Sequence, residues 1–532
     1  MSFRENSNQQ ITLMNSLWGL TERELKVLKN SWASIFSEDI FPNIDEKRFA
    51  VLYSDKASRP NTPVNIIVGA LIIRELFDYS DDEMVENLML DLHLQYALHT
   101  TNYKEQPLSD KTLSRFRKRC YEYEQEHGID LLHDCVKDLS GNIQKLMKIS
   151  GRIRRMDSMM IESNIKKLTR TELIYSCFSR FLQAIDKVDS AFIPDEMKHY
   201  TDPEDFNLKM YHQRCSKSDE YLKELFGDID SLLPLCPEKH YHLPEYKLLT
   251  RCLSEQSVVE DNVRRLRQRE DGGMNSHFLQ NPTDPEATYR IKAGKVHVGY
   301  SANIEEAVDK SGSVITDYQY EENTHNDVLF LKERIKNQDR VDEKTTIITD
   351  GAYYSAENAM LAESKNMELI TTALSGNPTK DICADFEFSE DGKRVLRCPA
   401  GHEPRRCSCR SNGRCSATFD ASFCQNCPLR EQCTPKSRGK ISMVVTISIN
   451  SKIRALCQRS MSEESYKDFL RLRNGVETIP SNLRNNFHVD KLPRGKQRGS
   501  FFFGLKIAAL NFRKLFNYKK GTIKCAQNPV FA

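Results

Sequence analysis

Apolar residues recur at helical spacing through the first 150 positions and change period beyond them. Thr21 and Glu24 form a capping box ahead of Leu25, Leu28, Trp32 and Ile35. Thr62-Pro63 reads as an N-cap followed by proline at the first helical position, leading into Ile66, Ile67, Ala70, Leu71 and Leu76. Ser80 and Glu83 cap a helix with Met84, Leu88 and Met89. Ser109 starts a basic helix with Leu113, Arg115, Phe116, Arg117, Lys118 and Arg119. Short helices closing on a basic member suit a DNA-binding module, and equally a dimerisation bundle with a wet basic face.

From Gly151 the pattern becomes mixed. A strand is predicted over 152–161, then helical spacing from about 164 to 273 (Leu173, Ile174, Phe178, Phe181, Leu182, Ile185). Strands follow at 289–300, 305–308 and 314–320, a helix at 328–335, a strand at 345–349, a helix at 356–362 and a strand at 368–372. With the helical stretch set aside, this order suits an α/β ribonuclease-H-like core whose first strand precedes a large helical insertion. After a cysteine-rich segment come a strand at 444–449, a helix carrying Tyr466, Phe469, Leu472, Arg473, Val476 and Glu477, and an amphipathic helix over 505–516. The expected organisation is an all-α N-terminal domain (1–150), a first core strand (151–163), a helical insertion (164–284), the rest of the core (285–382), a small Cys-rich insert (383–439), and a closing segment with the third acid and a basic end (440–532).

A length of 532 residues exceeds one ordinary core and suits three or four domains. The net charge of +2 hides segregation: residues 471–532 hold thirteen Lys/Arg against Glu477 and Asp490 alone. Such a block reads as a footprint for a polyanion, or as a solvated basic tail. No apolar run is long enough to cross a bilayer, and the start lacks a signal-peptide core, so a cytoplasmic protein without membrane contact is expected. Its sixteen cysteines should then be thiols. Half of them fall between Cys383 and Cys433. Cys398, Cys424, Cys427 and Cys433 suit a tetrahedral structural Zn²⁺, with Cys407, Cys409, Cys415 and His402 as further candidates and a metal-free loop as the alternative.

Three acids stand at informative places. Asp157 and Asp350 end short apolar runs, and Glu477 lies far downstream among basic residues. Phosphodiester chemistry needs an in-line oxygen nucleophile and a stabilised leaving oxygen, which two divalent ions can serve. Hard carboxylate oxygens suit Mg²⁺ or Mn²⁺. Taken singly, Asp350-Gly351 is a strand-ending turn, Asp157-Ser158 a polar edge position, and Arg473–Glu477 an exposed helical pair. Jointly, strand, strand and helix in that order point to a metal site.

These residues bring a family into view. The chain resembles bacterial insertion-sequence transposases of the DDE type, in the branch with a Tyr-Arg-Glu-Lys signature around the third acid. The resemblance runs from Arg59-Pro-Asn-Thr-Pro and Ser109-Asp-Lys-Thr-Leu-Ser-Arg-Phe-Arg through Arg155-Met-Asp157-Ser, Asp284-Pro-Glu-Ala, Gly299-Tyr-Ser-Ala-Asn and Thr349-Asp350-Gly-Ala-Tyr. It continues through Cys424-Gln-Asn-Cys427-Pro-Leu-Arg-Glu-Gln-Cys433 to Ala509-Leu-Asn511-Phe-Arg-Lys-Leu. It implies that Asp157, Asp350 and Glu477 bind metal, and that Arg473 and Arg484 contact transposon-end DNA. Leu470 stands at the family's tyrosine and Arg484 at its lysine, and Pro480 between Glu477 and Arg484 should kink or restart the helix.

The expected function is cleavage at transposon-end inverted repeats and transfer of the 3′-hydroxyl to target DNA. A homodimer, two Mg²⁺ or Mn²⁺ ions, a nucleoid-associated location, and phosphate contacts from Lys491, Arg494, Lys496 and Arg498 go with it. The basic run 491–498 also reads as a flexible loop. The rivals are an inactive DNA-binding descendant and a nuclease on the same fold.

Overall fold

The computed structural model describes residues 1–6, 16–54, 56, 59–103, 105–206, 218–292 and 294–521. Parts of the expected helical insertion (207–217) and of the basic end (522–532) lie outside the described residues.

A six-stranded sheet carries the centre of the chain. Its strands are β1 (Ile153–Glu162), β2 (Thr288–Lys292), β3 (Lys295–Asp309), β4 (Gly312–Glu322), β5 (Thr345–Thr349) and β6 (Met367–Thr371). The spatial order is β2-β3-β1-β5-β6, with β4 also on β3. β1 runs antiparallel to β3 and parallel to β5, which is parallel to β6. The strand expected over 289–300 is thus split by a turn at Gly294, where φ is +76°, and joins the 305–308 run as one fifteen-residue strand. Gly299 in β3 lies so close to β1 that a Cβ there would collide with the Ile161 carbonyl.

Side chains alternate across a strand, so the two faces of the sheet have different partners. Met156 and Ile347 pack with Phe330, Leu331 and Ile335 of α5 (Asp327–Lys336), and Ala362 of α6 (Ala356–Ser364) joins them. On the opposite face Ile348 and Ile370 meet Tyr466 and Leu472 of α7 (Glu464–Arg473). Arg155 and Asp157 share that second face by parity.

The N-terminal helices follow the caps read from the sequence: Thr21–Glu24 and Ser80–Glu83 are both reciprocal boxes, and Ser109 caps α2 (Asp110–His127). One start differs. Helix α1 (Val64–Phe77) begins after Pro63, and its first free N–H, Val64 N, donates to Glu46 Oε2 (3.1 Å) and not to Thr62. The run 25–35 is broken at Asn30, because Ser31 caps a second short helix by accepting from Ala33 N. These helices are not packed separately. One hydrophobic core joins α1, α2, α3 (Leu131–Leu146), the sheet, α8 (Thr478–Phe487) and α9 (Lys496–Lys519), so position 150 marks a change of secondary structure within a shared core. The insertion has its own core around Phe178, Phe181 and Leu249, with α4 (Arg170–Asp189) at its centre. It also contains an unforeseen hairpin, Ser257–Glu260 with Val263–Leu266.

The last helix corrects its sequence reading most. It runs from Lys496 to Lys519, and Phe503 to Phe512 are buried without a break, so it is a central helix and not an amphipathic one. Glycine makes this possible: a Cβ at Gly499 or Gly504 would collide with the hydroxyl ends of Tyr320 and Tyr318 in β4. The basic end is consumed inward as well. Lys506 Nζ pairs with Glu75 and Lys514 Nζ with Glu306, each at 2.5 Å, and Lys519 pairs with Asp39. Three of the thirteen basic residues in the apparent polyanion footprint are therefore paired with acids of the fold.

Candidate active site

Pairing between β1 and β5 sets the first two acids side by side. Arg155 lies opposite Ile348, so two residues further Asp157 comes level with Asp350, the first residue past β5. Asp350 Oδ1 accepts from Ala352 N (2.8 Å) in the turn that ends the strand, so the turn reading and the site reading hold together. Gly351 is required there because a Cβ would stand 2.8 Å from the Ala373 carbonyl oxygen.

The third acid arrives on a clamped backbone. Glu477 ends a 3₁₀ turn, Asn474–Glu477, between α7 and α8, and does not sit inside a continuous helix. Helix α8 restarts at Thr478 with Pro480 in its first turn, as the proline predicts. Arg155 Nη1 donates to the Leu472 carbonyl (2.5 Å), while its Nε donates to Glu306 Oε2 (2.5 Å). Glu306 also accepts from Lys514 Nζ (2.5 Å) and is fully buried. Gly475 lies directly against the Arg155 guanidinium, leaving no room for a Cβ. Farther up α7, Tyr466 Oη accepts from Thr371 N (2.7 Å) and donates to Thr371 O (3.0 Å). The Thr371 hydroxyl in turn lies 3.0 Å from the Asp350 carbonyl oxygen, so the helix of the third acid and the turn of the second share one anchor.

All three acids meet one side chain. Arg473 Nη2 lies 3.3 Å from Asp157 Oδ1 and 3.9 Å from Asp350 Oδ2, and its Nη1 donates to Glu477 Oε1. Burial, against the pull of Arg473 and with a push from Asp350, raises the Asp157 carboxyl to about 6. A carboxyl crowded by a second carboxylate is the electrostatic condition that a bound cation relieves. Among the other basic residues singled out, Arg484 Nη2 donates to the Met160 carbonyl (3.0 Å) and Arg494 Nε to the Asn164 carbonyl (2.7 Å). Lys496 Nζ pairs with Glu321 (2.5 Å), whereas Lys491 and Arg498 are exposed. Glu286 of the Asp284-Pro-Glu-Ala motif accepts from Lys496 N (2.8 Å) at the start of α9, and Asp284 accepts from Tyr300 Oη (2.6 Å).

Sequence reasoning missed Arg155, Glu306, Lys514, Tyr466 and Thr371. A signal existed for one of them: Glu305-Glu306 interrupts an apolar strand, and an acid placed there must find internal cations. The expected effect of Gly475→Ala is a displaced Arg155 and a loss of about 1–3 kcal/mol. Urea unfolding checks this, and wild-type stability would show that the Arg155 clamp yields freely.

The cysteine-rich segment folds around a four-stranded sheet that includes Ser442–Ser448. Cys398, Cys424, Cys427 and Cys433 line one cavity beside His402 and Phe423. Burial, then the neighbouring thiols Cys424, Cys398 and Cys427, push Cys433 up to about 11. Cys409 and Cys415 are paired across a hairpin and form a disulfide, which corrects the expectation that every cysteine is a thiol. With Cys407 they make a three-sulfur cluster whose ligand atoms lie within 4.8 Å of one another, a donor set compatible with zinc when reduced. Among the described residues no helix is long and apolar enough to cross a membrane.

Two family comparisons bear on this geometry. Residues 28–119 match the family described as Transposase domain (DUF772), and residues 397–516 match the Transposase DDE domain. Both matches are to transposase families, and together they indicate an insertion-sequence DDE transposase. The second match runs from the cysteine segment through Glu477 and most of α9, while Asp157 and Asp350 lie between the two matched stretches. No curated protein matches the chain. A piggyBac transposase synaptic complex with hairpin DNA aligns over 95% of this chain and 78% of that one, at 9% identity and a TM-score of 0.28, too low to support a structural argument.

Proposed function

We propose that this transposase cuts DNA at the inverted repeats of its own element and joins the freed 3′-hydroxyl to target DNA, using Asp157, Asp350 and Glu477. The observation that carries the reading is their convergence on the single guanidinium of Arg473. A strand order in which β1 is flanked by antiparallel β3 and parallel β5 supports a ribonuclease-H-like core. The donor set fits hard cations: the contacts are carboxylate oxygens, and a positive group is already accommodated among them. Two Mg²⁺ or Mn²⁺ ions would activate the attacking oxygen and stabilise the leaving one. Asp157 and Asp350, held at one level by strand pairing, bind from the sheet, and Glu477 closes the site from the 3₁₀ turn.

Arg484, Lys491, Arg494, Lys496 and Arg498 hold backbone phosphates around this site, and a homodimer pairs the two ends. The protein works in the cytoplasm at the nucleoid. Incubating it with end-sequence duplex and Mn²⁺ should give nicks at the element boundary, and precut ends should be joined to a target plasmid. Nicking without joining would favour a nuclease, and binding without nicking an inactive descendant. Binding to duplex DNA should weaken with salt, and Arg494→Ala should lower the log–log slope by about 0.9, the value of one phosphate contact on B-form DNA. An unchanged slope removes Arg494 from the interface.

Cys398, Cys424, Cys427 and Cys433 are the proposed structural Zn²⁺ ligands. Purified protein should then carry zinc, and Cys427→Ser should lose it together with thermal stability, since structural zinc contributes on the order of 10 kcal/mol in small domains. Metal analysis of the two proteins decides the point; equal zinc in both excludes Cys427 as a ligand.

A further inference from the structure

We infer that Arg473 is an internal counter-cation that holds the three acids together before metal binds and leaves when metal enters. This rests on the metal-site reading of the same residues. One guanidinium spans acids from three separate elements, at 3.3 Å from Asp157, at 3.9 Å from Asp350 and in a direct hydrogen bond to Glu477. The Arg473 side chain is only 10% exposed and that of Asp157 14%, so these two charges interact with little screening. Arg473 Nε is buried and has no hydrogen-bond partner. Charge attraction at one end of the guanidinium holds it, and no complete set of acceptors does. Without this cation the carboxylates would repel one another, a repulsion that any other cation entering among them would relieve.

A divalent ion needs the same carboxylate oxygens, so the two cations exclude each other. The exchange requires little of the backbone: Leu472 O is fixed by Arg155, and Gly475 packs under that guanidinium. Glu477, whose side chain is 62% exposed, gives the departing guanidinium a route toward solvent. Once there, its planar fork can grip a phosphate bidentately. Metal loading and the grip on DNA are thereby linked through one side chain, and the linkage acts equally in both directions.

The test is a Mn²⁺ titration without DNA, with free Mn²⁺ read by electron paramagnetic resonance. Arg473→Gln is expected to bind Mn²⁺ at least about fivefold more tightly than wild type, the lower range of ordinary coupling between sites. Asp350→Asn should lose the binding. Affinity in Arg473→Gln equal to or weaker than wild type overturns the counter-cation role and leaves the metal site standing. Wild-type binding that survives Asp350→Asn overturns the metal site and the counter-cation role together. If Arg473→Gln does not fold, Arg473→Lys takes its place, because one ammonium cannot span all three acids: a smaller tightening is expected, and none overturns the proposal.

Discussion

Asp350→Asn is expected to lower metal-dependent nicking of end-sequence DNA by roughly 10²–10³-fold, the scale seen when a single preorganised charge-stabilising group is removed. The substitution is chosen so that little else changes. Asn is isosteric, and its amide oxygen can still accept from Ala352 N and preserve the turn after β5. Gly351, which the close approach of Ala373 demands, is untouched. What is lost is one formal charge and one proposed metal ligand at a site where Asp157, Asp350 and Glu477 all lie around Arg473. DNA affinity in low salt should be retained. Nicking at the wild-type rate with DNA affinity intact would falsify the catalytic assignment.

Glu306→Ala should destabilise the fold by about 3–5 kcal/mol, because it leaves the buried Arg155 and the half-buried Lys514 without their acid. Burial alone would raise the Glu306 carboxyl, but Lys514 and Arg155 outweigh it and hold the group at about 2, below its ordinary 4.5. A folded-state value below the unfolded one means that the contribution is complete above about 4.5. It is lost as pH falls from 4.5 toward 2. Wild type should therefore lose stability steeply across that window, and Glu306→Ala should show a shallower loss in denaturant titrations at several pH values. Equal pH slopes would mean that other acids dominate. Since Arg155 also fixes the Leu472 carbonyl, the variant should lose nicking beyond what its lower stability explains.

The contrast between Glu306 and Asp157 shows how two acids on neighbouring strands come to have different uses. Glu306 has two cations at 2.5 Å and is driven to stay ionised, a structural strut. Asp157 has one shared cation at 3.3 Å and a second carboxylate nearby, so its charge is incompletely compensated. Incomplete compensation is the property that a metal ligand needs.

Much of the chain declared itself through local patterns. The capping boxes at Thr21 and Ser80, the strand Thr345–Thr349 and the helix Asp327–Lys336 each follow from residues within one or two turns, because caps and periodicity are short-range physics. The three acids could be named from sequence because two of them end short apolar runs and the third stands among basic residues. Their meeting could not be deduced locally, since it depends on the register of β1 against β5 and on the Arg155 clamp beneath Gly475. The basic end misled for the same reason: a lysine in sequence carries no sign of whether an acid hundreds of positions away, such as Glu75 for Lys506 or Glu306 for Lys514, will neutralise it. Local sequence determined which segments become helices and strands and which residues have the chemistry to hold a metal. Only the tertiary structure decided which charges face one another, because Coulomb energy depends on separation in space and not along the chain.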